Sequence, residues 1–139
     1  MKYLLNLRLV LLIVLALFSC NTDNDTITDN LINGRWKLFE AYVSSGGPQY
    51  LIKIENGEEF MFSDNGKFES NKFQDCTNGL YKIGSGNLIL RYGCDGFETG
   101  VENSNGEITY KISFESGYLV MIPTSVICIE ACSYRYKKI

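Results

Sequence analysis

Turn chemistry repeated along the chain restricts this sequence more than any other feature. Asp64-Asn65-Gly66, Gly84-Ser85-Gly86-Asn87, Ser104-Asn105-Gly106 and Ser116-Gly117 set residues that tolerate positive φ side by side. Tight hairpins demand such residues, so each cluster marks a reversal of the chain. The runs between reversals alternate. In Ile108 to Phe114, Ile108, Tyr110, Ile112 and Phe114 face one way while Thr109, Lys111 and Ser113 face the other. Period-two patterning in β-branched and aromatic residues marks a half-buried strand. Arg35 to Val43, Glu58 to Phe62, Lys67 to Phe73, Leu80 to Ile83, Leu88 to Tyr92, Tyr118 to Ile122 and Ser133 to Lys138 read likewise. Ser44 to Asn56 carries no legible pattern. With 13 glycines and only two prolines, the predicted strands run uninterrupted. The expectation is an all-β domain, a small eight-stranded up-and-down antiparallel barrel, because closure removes exposed edges.

The first residues read as targeting rather than as fold. Lys2 and Arg8 are positive, Leu9 to Phe18 is an unbroken apolar run, and Ser19 precedes Cys20. A membrane-spanning helix needs about 20 apolar residues, so this shorter run has the form of a signal peptide over residues 1–19. Leu17-Phe18-Ser19-Cys20 resembles the lipobox of bacterial lipoproteins. That resemblance implies cleavage before Cys20 and acylation of its thiol. Cys20 is then an attachment point, with a membrane as the partner it reaches through two or three acyl chains.

Asn21 to Asn30 is polar, holds Asp23, Asp25 and Asp29, and has Ile27 as its single aliphatic residue. Such a stretch buries too little to fold alone, so residues 20–30 are expected to form a lipidated tether and residues 31–139 the domain. Placement in the cell envelope follows. The outer membrane is expected because Asn21, not Asp, follows the lipidated Cys, and Asp there retains lipoproteins at the inner membrane in some bacteria. The formal charge is −3 and becomes −5 once Lys2 and Arg8 leave with the signal. That balance, without any Lys/Arg cluster, argues against a nucleic-acid partner. The chain has no histidine, which removes the commonest general base and transition-metal ligand, so no cofactor or metal site is expected.

Four cysteines are left beside Cys20: Cys76, Cys94, Cys128 and Cys132. In an exported chain an even number reads as two disulfides, with three possible connectivities. Cys76 and Cys94 are equidistant from Ser85, so a hairpin folded there sets them opposite one another, within disulfide reach. Cys128 and Cys132 are then left for each other. Extended chain would hold their Cα atoms about 13 Å apart, so residues 129–131 must turn tightly.

Gly34-Arg35-Trp36 matches the G-x-W signature that opens the first strand of lipocalins. Gly34-Arg35-Trp36-Lys37-Leu38 with Cys128-Ile129-Glu130-Ala131-Cys132 is similar to the G-x-W-x-L start and C-x-E-x-C ending of lipocalin-like lipoproteins of some Gram-negative bacteria. The resemblance implies a lipocalin-like barrel closed at one end by Gly34 and Trp36, with a basic residue of the final strand, Arg135, packed on the Trp ring. Glu130 has two readings, a polar group presented at the barrel mouth or a solvent-facing turn residue.

Three classes of function are open at this point. A binding module would hold a small hydrophobic ligand among inward residues: Phe60, Phe62, Phe68, Leu88, Leu90, Tyr110, Ile112, Phe114, Val120 and Ile122. Those same residues would equally well fill a packed barrel. An envelope interaction protein would use the anchor and surface tyrosines at 42, 50, 92, 118, 134 and 136. An enzyme needs a nucleophile–base pair or paired carboxylates. Glu58-Glu59, Asp64, Asp75, Asp95, Glu98 and Glu130 instead fall in turns and at strand ends, so no catalytic residue is expected.

Overall fold

The alternating runs become strands, and the order of the turns decides how they pair. The computed structural model describes residues 30–44, 47–101, 104–125 and 132–139. The expectations for the signal peptide, Cys20 and most of the tether, and for Cys128 and Glu130, lie outside the described residues. The described strands are β1 (Gly34–Val43), β2 (Tyr50–Lys53), β3 (Glu59–Phe62), β4 (Lys67–Ser70), β5 (Asn78–Gly84), β6 (Asn87–Tyr92), β7 (Glu107–Glu115), β8 (Tyr118–Pro123) and β9 (Ser133–Lys138). Strands β3 to β9 pair in sequence order, β3 and β9 both pair with β1, and all pairings are antiparallel. The result is a closed eight-stranded antiparallel barrel with almost no helix.

Strand β2 lies in the stretch without legible patterning. It covers Glu40–Val43 of β1, while β3 covers Gly34–Lys37 on the same edge. The long β1 outruns the short β3, and β2 pairs backbone groups that would otherwise form an open edge. The register of β1 against β9 shifts between Leu38 and Glu40. This bulge changes the phase of the strand, so Ala41, 2% exposed, faces the core instead of Glu40. Strand β4 stops at Ser70 rather than Phe73. Asn71 Oδ1 accepts from Glu59 N at 2.7 Å, and Ser70 Oγ accepts from Lys72 N at 3.0 Å, so side chains replace the ladder there.

The turns are of the kinds their residues allow. Ser85 and Gly86 have φ of 52° and 75°, and Ser116 and Gly117 have 50° and 83°. Two successive positive φ values make the type I′ hairpin turn. Gly66, at φ 74°, closes a three-residue loop in which Ser63 N donates to Lys67 O. These three short loops share one end of the barrel, the floor, with the helical residues 30–32. The described residues that follow β1, β4, β6 and β8 lie at the other end, the mouth.

Cross-strand partners in an antiparallel pair share a face, and this corrects the reading of β8. Phe114 pairs with Leu119 and Ile112 with Met121, so Leu119 and Met121 fill the interior. Val120 has the outward phase, covered on the barrel wall, and Ile122 is 41% exposed.

Candidate functional site

The floor is built around Trp36. Its indole Nε1 donates to Ile32 O at 2.6 Å, which fixes the helical turn across the barrel end. Ile32 is fully buried beneath it, and the Phe114 ring stands 6.0 Å from the indole. The basic residue on the ring is Lys138, not Arg135: Lys138 Nζ lies 5.3 Å from the Trp36 ring centre. Lys138 is the residue of β9 that pairs with Trp36, whereas Arg135 pairs with Glu40. Three positions apart on a strand, the two side chains point to opposite faces. Gly34, at φ 117°, makes room for this arrangement, because a Cβ there would come within 2.7 Å of the Lys138 side chain. Arg135 serves the outer wall. It binds Glu40 Oε2 at 2.9 Å and stacks 4.2 Å over the Tyr118 ring.

A different device shuts the mouth. Cys76 and Cys94 are joined, with Cα atoms 5.8 Å apart. The hairpin centre lies between Ser85 and Gly86 rather than on Ser85, and Gly79 pairs with Tyr92. The disulfide therefore forms just past the end of the ladder instead of within it. Cys132 is also disulfide-bonded, and Cys128, its expected partner, lies outside the described residues. Over the Cys76 side sit three rings: Phe73 to Tyr92 at 5.1 Å, Phe73 to Phe97 at 5.1 Å and Tyr92 to Phe97 at 5.2 Å. Beside them lies a polar knot. The Glu58 carboxylate accepts from Lys72 Nζ at 2.9 Å and from the buried Tyr136 hydroxyl.

Burial, aided by the Glu58 charge, pushes the Tyr110 and Tyr136 phenols well above their ordinary range. Tyr92 is also raised by burial, against the pull of nearby Ser70, which lowers it, and with a smaller rise from the Glu58 charge. The Ser70 and Tyr92 hydroxyls do not meet in hydrogen-bond geometry, so Tyr92 Oη has no partner among the described residues. These phenols are neutral, and the knot is an arrangement of donors around one carboxylate. Glu58 sits with a cation and a phenol already bound to it, and no second carboxylate completes a catalytic pair in these contacts. Among the described residues no group of three or more His, Cys, Asp or Glu is placed to hold a metal ion.

Between the two ends lies the inventory of inward residues expected to face a ligand. Phe60, Phe62, Phe68, Leu88, Leu90, Tyr110 and Ile112 form one buried cluster, with Phe114 packed against it. Phe60 stacks on Phe62 at 5.7 Å and meets Tyr136 edge-on at 5.7 Å. Phe60, Leu88, Leu90, Leu119, Met121 and Tyr136 are all 0% exposed. A side chain with no surface reachable by water borders no water-sized void, so the middle of the barrel is packed. Grooves are found instead on the outer wall. One of about 590 Å³ runs beside Lys67, Asn78 and Leu80, and one of about 280 Å³ beside Arg35, Glu59 and Glu69.

Of the tyrosines expected at the surface, Tyr92 and Tyr136 are buried, and Tyr50 is 53% exposed. Sequence reasoning missed Glu58, which it took for a solvated strand-end acid, and Lys138. The parity of β9 relative to Trp36 carried the signal for Lys138. No signal was available for Glu58, whose phenol partner is 78 residues away. No family model and no curated protein matches the chain. One solved structure, an uncharacterized protein from Bacteroides eggerthii DSM 20697, is similar at 17% identity and a TM-score of 0.40, over 78% of this chain and 99% of that one.

Proposed function

We propose that the chain is an exported lipoprotein, anchored through Cys20, whose lipocalin-like barrel is a packed, non-enzymatic interaction module of the cell envelope. The observation that carries this reading is the filled interior: both ends are plugged, and the residues between them touch one another rather than a cavity. The signal and lipobox at residues 1–20 support the anchor, and Asn21 after the Cys supports the outer membrane. Native mass spectrometry of the protein extracted from its own membrane tests both parts. Expected is the mass of the processed chain plus acyl chains on Cys20, with nothing else retained. A stoichiometric apolar molecule held through extraction would overturn the packed-module reading, and an unmodified Cys20 would overturn the anchor.

A second reading draws on Tyr92. Its buried hydroxyl has no partner among the described residues and its ring packs against Phe73 and Phe97, so a small, mainly hydrophobic ligand with one polar group would find a partner there if those two rings parted. The same spectrum decides between the two, since only this reading places a ligand mass on the protein.

A further inference from the structure

Charge is divided unevenly along the barrel axis. Around the floor stand Arg35, Lys67, Lys82, Lys111, Lys137 and Lys138, all exposed. Lys67 opens β4 directly after the β3–β4 loop, Lys82 is beside the β5–β6 turn, Lys111 pairs with Asn87 at that turn, and Lys137 pairs with Tyr118 at the β7–β8 turn. Among the described residues none of these six has a carboxylate within ion-pair distance. The ion pairs are Lys37–Glu59, Lys72–Glu58, Arg91–Glu107 and Arg135–Glu40, all away from the floor turns. Side-chain carboxylates described around the floor are Asp64, Glu115 and Glu69, the last sharing a groove with Arg35, while the mouth side carries Glu55, Glu58, Asp75, Asp95 and Glu98 against Lys53 and Lys72. The floor also exposes two aliphatic residues, Leu31 at 47% and Ile139 at 61%.

The chain enters the barrel at this same end, through residues 30–32. Cys20 is ten residues from Asn30, a reach of at most about 35 Å when extended. We infer that the floor docks on the anionic lipid surface of the membrane that holds the anchor, with the acidic mouth turned away from it. Unpaired lysines and arginines beside exposed aliphatic side chains are the chemistry such a surface recognises. Asp23, Asp25 and Asp29 of the tether oppose the contact. The docking is therefore weak and salt-sensitive, and the anchor populates it by holding the floor at high local concentration. This inference rests on the lipoprotein reading for its membrane but has its own readout.

Trp36 is the chain's single tryptophan, and it sits at the floor. The processed protein from cells making the whole chain is reconstituted into vesicles with brominated acyl chains, of phosphatidylglycerol mixed with phosphatidylcholine or of phosphatidylcholine alone. Expected is quenching of Trp36 in the anionic vesicles, relieved by high salt, with the docking equilibrium weakened roughly tenfold or more by Lys82→Glu with Lys111→Glu, since each surface cation contributes measurably to such binding. Lys53→Glu, near the mouth, should change nothing. Equal quenching in both vesicles, no quenching in either, or indifference to Lys82→Glu with Lys111→Glu would overturn the docking. The mass of the N-terminal peptide reports the anchor separately. If Cys20 is bare, its thiol is coupled to a maleimide lipid so that the tether is supplied, and the same comparison of anionic with neutral vesicles upholds the floor contact or, with no difference between them, refutes it.

Discussion

The two ends of this barrel face the same problem and solve it with different physics. The floor is shut by short range: three tight loops, one indole, one lysine on its face, and a glycine that leaves space for the lysine. The mouth has longer connections and cannot rely on turn geometry, so it uses a cross-link, three rings and a carboxylate held by groups far apart in sequence. Tight turns close a barrel with local information alone. Long loops need contacts that the chain must find across distance, and each such contact adds loop-closure entropy to its formation. The floor is accordingly the cheaper closure, and the mouth is the place where a covalent bond contributes most.

That contrast can be broken from either side. Trp36→Ala removes the floor plug and leaves a cavity above Ile32 and beside Phe114. A loss of about 3–5 kcal/mol is expected in denaturant unfolding, and a smaller effect than that of an exposed aromatic would show that the floor is not packed. Replacing both cysteines, Cys76→Ser with Cys94→Ser, opens a closed segment of sequence separation 18 and should cost about 3 kcal/mol. Hydrogen exchange in that variant should rise around residues 71–77 and 93–101 while the β5–β6 turn keeps its protection. Uniform loosening of both ends would contradict the division drawn here.

Alkali tests the phenols buried inside the barrel. Tyr92, Tyr110 and Tyr136 have their protonation range raised above the ordinary value of 10.0 in the folded chain. A raised group stabilises the fold fully below pH 10, and the contribution falls away as pH climbs from 10 toward the folded value. Each tyrosine accounts for about 1.4 kcal/mol per pH unit in that window. The melting temperature should hold steady to about pH 9 and fall steeply beyond pH 10. A flat profile through pH 11 would mean that these hydroxyls reach water. The smallest effect belongs to Lys138→Met, which removes a cation from the indole face at a cost of about 0.5–1 kcal/mol. Arg135→Met should cost more, because it strands the buried Glu40 carboxylate. The reverse order would restore Arg135 as the partner of Trp36.

Much of the floor was legible in the sequence because its determinants are adjacent residues. Ser85-Gly86 and Ser116-Gly117 name their own turn type, and the register of each hairpin follows. Even the phase of β8 was available there. Tyr118 to Ile122 reads as a strand but is apolar on both faces, so its own pattern does not say which face is inward; counting back through Ser116-Gly117 sets Leu119 opposite Phe114. The mouth was legible only through Cys76 and Cys94, whose symmetry about the turn pairs them correctly while placing the hairpin centre half a residue off. Strand β2 escaped because both its faces are largely solvated, so Tyr50 to Lys53 lacks the hydrophobic contrast that marks a strand. Glu58 escaped because a carboxylate in a loop reads as solvated until its partners are known. The bulge that turns Ala41 inward in place of Glu40 left no mark in composition either, although it decides which side of the wall Arg135 must occupy.

The sealed interior is tested most directly by the electron density inside the barrel in a high-resolution crystal structure of the protein purified from its own cells. Continuous side-chain density among Phe60, Leu90, Tyr110 and Tyr136, with no feature between them larger than a water molecule, is the expected result. An elongated blob of density there, with those rings swung apart around it, would contradict the packed barrel and make the molecule a carrier.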